Sequence, residues 1–251
     1  MDGGYSVIPL RGIPEVRPGD DLVGLLSEAA LRSAGGLEDG DVVVVAAKIV
    51  SKAEGRFVEL DSVEPTPFAY GAAKLLDKDP RVVEIILRET LRVVKMDRDK
   101  FIVENLHGVV CANAGVDLSN VGSEGKALLL PQDPDGTARA LHEGFRERFG
   151  VEAAVVVTDT VGRPWRDGLV QVAIGCYGME PLKDYRGKSD PEGFCLQATV
   201  LAQADEICSA AGLVLGKTER VPAALIRGFS YEKSQEGAKR LLRKPEDDLF
   251  R

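Results

Sequence analysis

Residues 41–60 read Asp-Val-Val-Val-Val-Ala-Ala-Lys-Ile-Val-Ser-Lys-Ala-Glu-Gly-Arg-Phe-Val-Glu-Leu. Four consecutive valines leave no polar face, so residues 42–45 read as a strand buried on both sides, running into a polar loop at SKAEGR. Working outward, a second β-branched run, EAAVVVTDT (152–160), ends in a carboxylate between hydroxyls, and QVAIGCYG (171–178) is a strand ending in glycines. Upstream come a short strand (Val7–Pro9), the turn-rich RGIPEVRPGDD, and an amphipathic helix over Asp21–Ser33. Helical patterns follow at Thr66–Leu76, Arg81–Leu91, Asp135–Phe149, Cys195–Ala211 and Tyr231–Arg243, with a β-rich block over Val93–Ala112 and an apolar strand at ALLLP. Strands and helices mix without a βαβ rhythm. The pattern predicts an α+β fold of mixed sheets with flanking helices, not a doubly wound sheet, and a frayed tail at 244–251.

The 251 residues are 44% hydrophobic and 29% charged, enough chain of ordinary composition to bury a core. No apolar run approaches the roughly 18 residues of a membrane helix, which excludes the membrane as a partner. Acidic residues outnumber basic ones 40 to 32, and no Lys/Arg cluster is interleaved with aromatics, so nucleic acid is not expected either. The four cysteines (111, 176, 195, 208) form no CxxC pair and no signal peptide precedes them, which predicts reduced thiols and a cytoplasmic location. With only His107 and His142 available, carboxylates must supply most metal ligands.

Four stretches carry candidate chemistry. Ala211-Gly-Leu-Val-Leu-Gly-Lys-Thr218 mimics a phosphate-binding P-loop, but Ala211 replaces the first glycine and the apolar interior reads as a strand, so it is set aside; no GxGxxG fingerprint exists. Ser51-Lys-Ala-Glu-Gly-Arg56 presents charges after a buried strand, with Lys48 a further phosphate contact; a solvated hairpin would look the same. Cys111-Ala-Asn-Ala-Gly-Val-Asp-Leu-Ser-Asn120 gathers small residues, two amides and Asp117, suited to a hard cation or to a capped turn. All three asparagines of the chain (105, 113, 120) fall in this region. Thr158-Asp-Thr-Val-Gly-Arg-Pro-Trp-Arg166 sets a carboxylate beside a hydroxyl, with arginines for anionic oxygens, or else an Arg–Asp pair holding a proline turn. Two separated aspartates with hydroxyl, amide and basic neighbours are what metal-assisted phosphoryl transfer requires.

IVSKAEGR, HGVVCANAGVDLSNV, LLLPQDPDGTAR, VVVTDTVGRPWRDG, VAIGCYG, DYRG (184–187) and VPAALIRG, in this order and spacing, resemble the coenzyme F420-0:L-glutamate ligases over residues 7–228. The resemblance implies a ligase-specific fold distinct from the P-loop, Rossmann and ATP-grasp folds. It implies one ligase module over 1–251, built of two intertwined lobes and paired as a homodimer. Its reaction would be GTP-dependent addition of L-glutamate to coenzyme F420-0 through an acyl phosphate, with Mg2+ or Mn2+, two ions in all, and K+. Carried over by motif, Asp117 and Asp159 would bind one metal and Thr160 the second. Ile13, Pro14, Glu15, Val16, Ala47, Lys48, Lys52 and Asn120 would contact the nucleotide, and Asp117, Asp159 and Lys52 would be catalytic. The segment ADEICSAAGLVLGKTERVP departs from the family and leaves Glu206 and Lys217 without roles. The same chemistry on another carboxylate acceptor, and a nucleotide-binding regulator without turnover, are the competing readings.

Overall fold

A computed structural model describes residues 4–119 and 125–248. In chain order the elements are β1 (Ser6–Pro9), α1 (Leu22–Ala34), β2 (Val42–Ala46), α2 (Ala47–Ala53), β3 (Phe57–Glu59), α3 (Pro67–Leu76), α4 (Pro80–Arg88), β4 (Thr90–Asp97), β5 (Lys100–Asn105), β6 (Val110–Ala112), β7 (Lys126–Leu128), α5 (Pro134–Phe149), β8 (Ala154–Arg163), β9 (Arg166–Tyr177), β10 (Lys183–Asp184), β11 (Val200–Leu201), α6 (Gln203–Leu215) and β12 (Ala223–Arg227). The architecture is α+β with mixed sheets and flanking helices.

The largest sheet has the order β1-β12-β2-β8-β9. β2 and β8 run parallel, and the sheet's other pairings are antiparallel. The valine run explains why β2 is central. Val43 and Val45 join Val155, Val157 and the helices α1, α2 and α5 on one face, while Val42 and Val44 join Ala154, Val156 and α6 on the other. All four valines are fully buried. At about 25 cal/mol per Å² such residues each contribute on the order of 2 kcal/mol of burial. α5 reaches the sheet closely only because residue 175 is glycine, since a Cβ there would lie 2.4 Å from the Pro134 carbonyl.

A third cluster, built from α3, α4, Phe101, Val103, Ala127 and Leu129, packs the β4-β5-β6 sheet against two helices. Both helices start as their sequences direct. The Thr66 hydroxyl accepts from Ala69 N, the Asp79 carboxylate accepts from Arg81 N, and proline follows each cap.

Several expectations need correction. SKAEGR is not a loop after the strand: β2 turns directly into α2, which carries Lys48 and Lys52. The helix placed at Cys195–Ala211 spans Gln203–Leu215, so the Leu-Val-Leu of the P-loop mimic is helix, not strand. Residues 231–243 are not one helix. They have no regular structure apart from a single 3-10 turn at Ala238–Leu241, because their backbone bonds to distant partners: Gly178 N donates to Ser234 O, Glu180 N to Glu232 O, and Ala238 N to the Asp135 carboxylate.

Candidate active site

Register places the site. Ala46 is the partner of Thr158 in the one parallel pairing of the large sheet, so Asp159 lies one residue beyond the point where β2 becomes α2. Carboxyl ends of adjacent parallel strands are where open sheets hold ligands. Lys48, in the first turn of α2, reaches from this point to Asp117, its Nζ donating to Oδ2 at 2.7 Å and to Ser119 O at 3.2 Å. Asp117 is fixed by backbone pairing with Leu128 of β7 in both directions, 3.0 and 2.8 Å. The loop before it turns through positive φ at Asn113, Ala114 and Gly115. Asn113 Oδ1 is buried there with no hydrogen-bond partner among the described residues.

The two carboxylates sit in opposed environments. Burial alone would push Asp117 up, but the Lys48 ammonium and the N–H and O–H of Ser119, both 2.7 Å from Oδ1, outweigh it and hold the group below the usual range. Asp159 is raised, chiefly by burial, with the Asp117 charge adding; one hydrogen bond from Thr160 N and the charges of Lys217 and Lys48 only partly oppose this. Environments that push neighbouring carboxylates apart are typical of functional sites. Asp159 also bears on Cys111, whose buried thiol is pushed up to about 12.

The donor set fits one hard divalent cation. Two carboxylates from different elements converge, one short of counter-charge, and such ions are commonly bound by one or two carboxylates plus substrate phosphates. It does not fit a second ion at Thr160. Asp159 and Thr160 are adjacent in β8 and point to opposite faces, and Thr160 Oγ1 already accepts from Lys217 Nζ at 2.6 Å. Among the described residues no group of three or more His, Cys, Asp or Glu could hold a metal.

The model of the F420-0:Gamma-glutamyl ligase family matches residues 12–228. This chain belongs to that family. Proteins named Coenzyme F420:L-glutamate ligase are 44% identical to it in Methanothermobacter thermautotrophicus (99% of each chain) and 46% in Methanopyrus kandleri (99% of this chain, all of the relative). A third, from Haloarcula marismortui, is 42% identical over 98% of this chain and 95% of its own. As a family member the chain is a ligase, and none of its helices among the described residues is long and apolar enough to cross a membrane.

The remaining site residues that family likeness suggested fall into four groups. Ile13 and Val16 are buried and join the main core, so only Pro14, Glu15 and the segment's backbone face outward. Lys52, expected in a solvated loop, is a buried residue of the last turn of α2 whose Nζ pairs with exposed Glu15, which brings two of the suggested nucleotide contacts together. Ala47 is buried at the start of α2. Asn120 lies outside the described residues.

Arg56 is turned away from the site, its Nε donating to Leu130 O and its guanidinium facing Glu89. The P-loop mimic is closed to phosphate by the ligase's own Glu219, whose carboxylate accepts from Lys217 N and Thr218 N, both at 2.9 Å. Sequence reasoning did not place Cys111 and Lys217 beside Asp159 and Thr160. Both stand in quoted motifs, and the Gly216 turn offers Lys217 as a nucleotide contact, but its reach to Thr160 across 57 positions has no local signal.

Proposed function

We propose that this ligase joins L-glutamate to coenzyme F420-0 by an amide bond, with GTP as phosphoryl donor and Mg2+ or Mn2+ held by Asp117 and Asp159. The observation that carries the reading is the convergence of Asp117, Asp159 and Lys48 where β2 ends beside the middle of β8. The family description supplies the acceptor, F420-0, and the relatives' names supply the amino acid.

A carboxylate is a poor electrophile and must be activated. An oxygen of the F420-0 carboxylate attacks the γ-phosphorus of GTP, the bond to the GDP oxygen breaks, and an acyl phosphate forms. The neutral amine of glutamate then attacks the acyl carbon, inorganic phosphate departs, and the amine's surplus proton passes to solvent. When bound, the cation neutralises phosphate oxygens and holds them in line. Asp117 and Asp159 fix its place, Lys48 turns between Asp117 and phosphate oxygen, and Lys52 with the Ile13–Val16 segment binds the nucleotide. Catalysis of this kind is positioning and charge compensation. A homodimer is part of the proposal, supported by Trp165, Leu169 and Leu213, which are 81%, 67% and 86% exposed on the β8–β9 hairpin and α6.

The test is mass spectrometry of F420-0 incubated with enzyme, labelled glutamate, GTP and Mn2+. Product heavier by glutamyl units, with GDP and phosphate formed in equal amount, is expected. GDP release without a glutamate-dependent product would refute the reading. Calorimetric titration of GTP and ATP is expected to favour GTP; equal or tighter ATP binding overturns that choice.

A further inference from the structure

The second cation implied by family likeness has no site among the described residues, and something else stands in its place. Thr158 and Thr160 share the face of β8 that α6 covers, Thr158 bonding toward Cys208 and Thr160 toward Lys217. Asp159 points to the other face, toward Lys48, Asp117 and Cys111, and the Lys217 charge still reaches it. A neutral hydroxyl alone is a poor ligand set for a hard cation, whereas an ammonium 2.6 Å away satisfies it.

The root of Lys217 is also fixed. Gly216 leaves α6 at φ +60°, and the Glu219 carboxylate fills the turn, accepting the N–H of both Lys217 and Thr218. The side chain is thereby directed along the sheet to Thr160. An ammonium has three N–H donors. Thr160 takes one, and two remain for anionic oxygens beside Asp159, whose carboxylate the Lys217 charge already reaches.

We propose that this enzyme works with a single divalent cation and that the Lys217 ammonium, docked on Thr160, supplies the second positive charge to the phosphoryl oxygens. The proposal rests on the ligase reading above, but the ion count that tests it does not. Electron paramagnetic resonance of free Mn2+, titrated against protein with a non-hydrolysable GTP analogue present, counts ions without turnover. The wild type is expected to saturate at one Mn2+ per chain. Lys217→Glu, which sets a carboxylate beside Thr160, is expected to take a second.

Lys217→Gln should still bind one ion yet lose on the order of 10²-fold in kcat, with KM for glutamate little changed. Lys217→Arg, which keeps the charge, should recover most of the loss. Circular dichroism confirms that the variants are folded. Wild-type saturation at two ions per chain, or a Lys217→Gln enzyme with normal kcat, overturns the proposal. If no glutamyl product forms under any condition, the ligase reading fails separately, and the Mn2+ count still decides this one.

Discussion

Asp159→Asn should make the protein more stable and inactive at once. The carboxylate of Asp159 is partly buried, accepts one backbone N–H, and faces the negative charge of Asp117. Its proton is therefore held more tightly in the folded chain than in the unfolded one. The fold favours the neutral form, so stability is lost as pH rises from the unfolded value near 3.8 through the raised folded value. Above that window the full penalty applies, on the order of 1 kcal/mol for a partly compensated polar group. Asparagine has the same shape without the charge.

At about 2–4 °C per kcal/mol for a chain of this size, the metal-free variant should melt a few degrees above wild type at pH 7.5 and level with it near pH 4. Mn2+ reverses the order. At roughly 100 times its Kd it stabilises the wild type by about 2.7 kcal/mol, or roughly 5–11 °C, and the variant far less. Differential scanning calorimetry in EDTA and in Mn2+, at both pH values, measures all of this. A metal-free variant less stable than wild type, or one that gains as much from Mn2+, would refute the reasoning.

Three further outcomes follow from packing and burial. Lys52→Met keeps the buried stem and leaves Glu15 in solvent, so its melting should shift by under about 1 kcal/mol, whereas Lys52→Ala opens a cavity worth roughly 1–3 kcal/mol. Both should weaken GTP at least about tenfold, while Arg56→Met should lower Tm and spare GTP; calorimetry showing normal GTP binding by Lys52→Met would remove that residue from the site. Gly175→Ala drives a Cβ into the Pro134 carbonyl and should cost about 1–3 kcal/mol or more, which an unchanged melting curve would disprove. Of four free thiols only Cys195 is exposed, and burial pushes Cys111 and Cys176 up to about 12, so a thiol reagent should titrate one group per native chain at pH 8; fast reaction of a second would contradict the burial.

What the sequence discloses depends on whether a residue's environment is local. Val42–Val45 announce a doubly buried strand because every position is apolar, and Thr66-Pro67 and Asp79-Pro80 announce helix starts because cap and first turn are adjacent. Asp117 and Asp159 were legible as candidates by residue type, but their meeting required the parallel register of β2 and β8. SKAEGR misled because a seven-residue helix is too short to show a period, and its lysine is buried with its Nζ paired to Glu15, far away in sequence. Residues 231–243 misled for the opposite reason. Their helical pattern is overridden by hydrogen bonds to residues 178, 180 and 135, which no window along the chain contains.

The parallel pairing of β2 with β8 sets the order in which this chain can fold. Val42 must find Ala154 across more than a hundred residues, and closing a loop of that size costs about 4 kcal/mol of chain entropy before any contact repays it. Between those strands lies the cluster of α3, α4 and β4–β6, whose partners are near neighbours. Closely spaced contacts form first, and distant parallel pairings form slowly. The aspartates of the proposed cation site would then come together only in the last stage of folding, since Asp117 belongs to the early part and Asp159 to the late one. A ribosome-bound chain would carry no cation site until β8 had emerged.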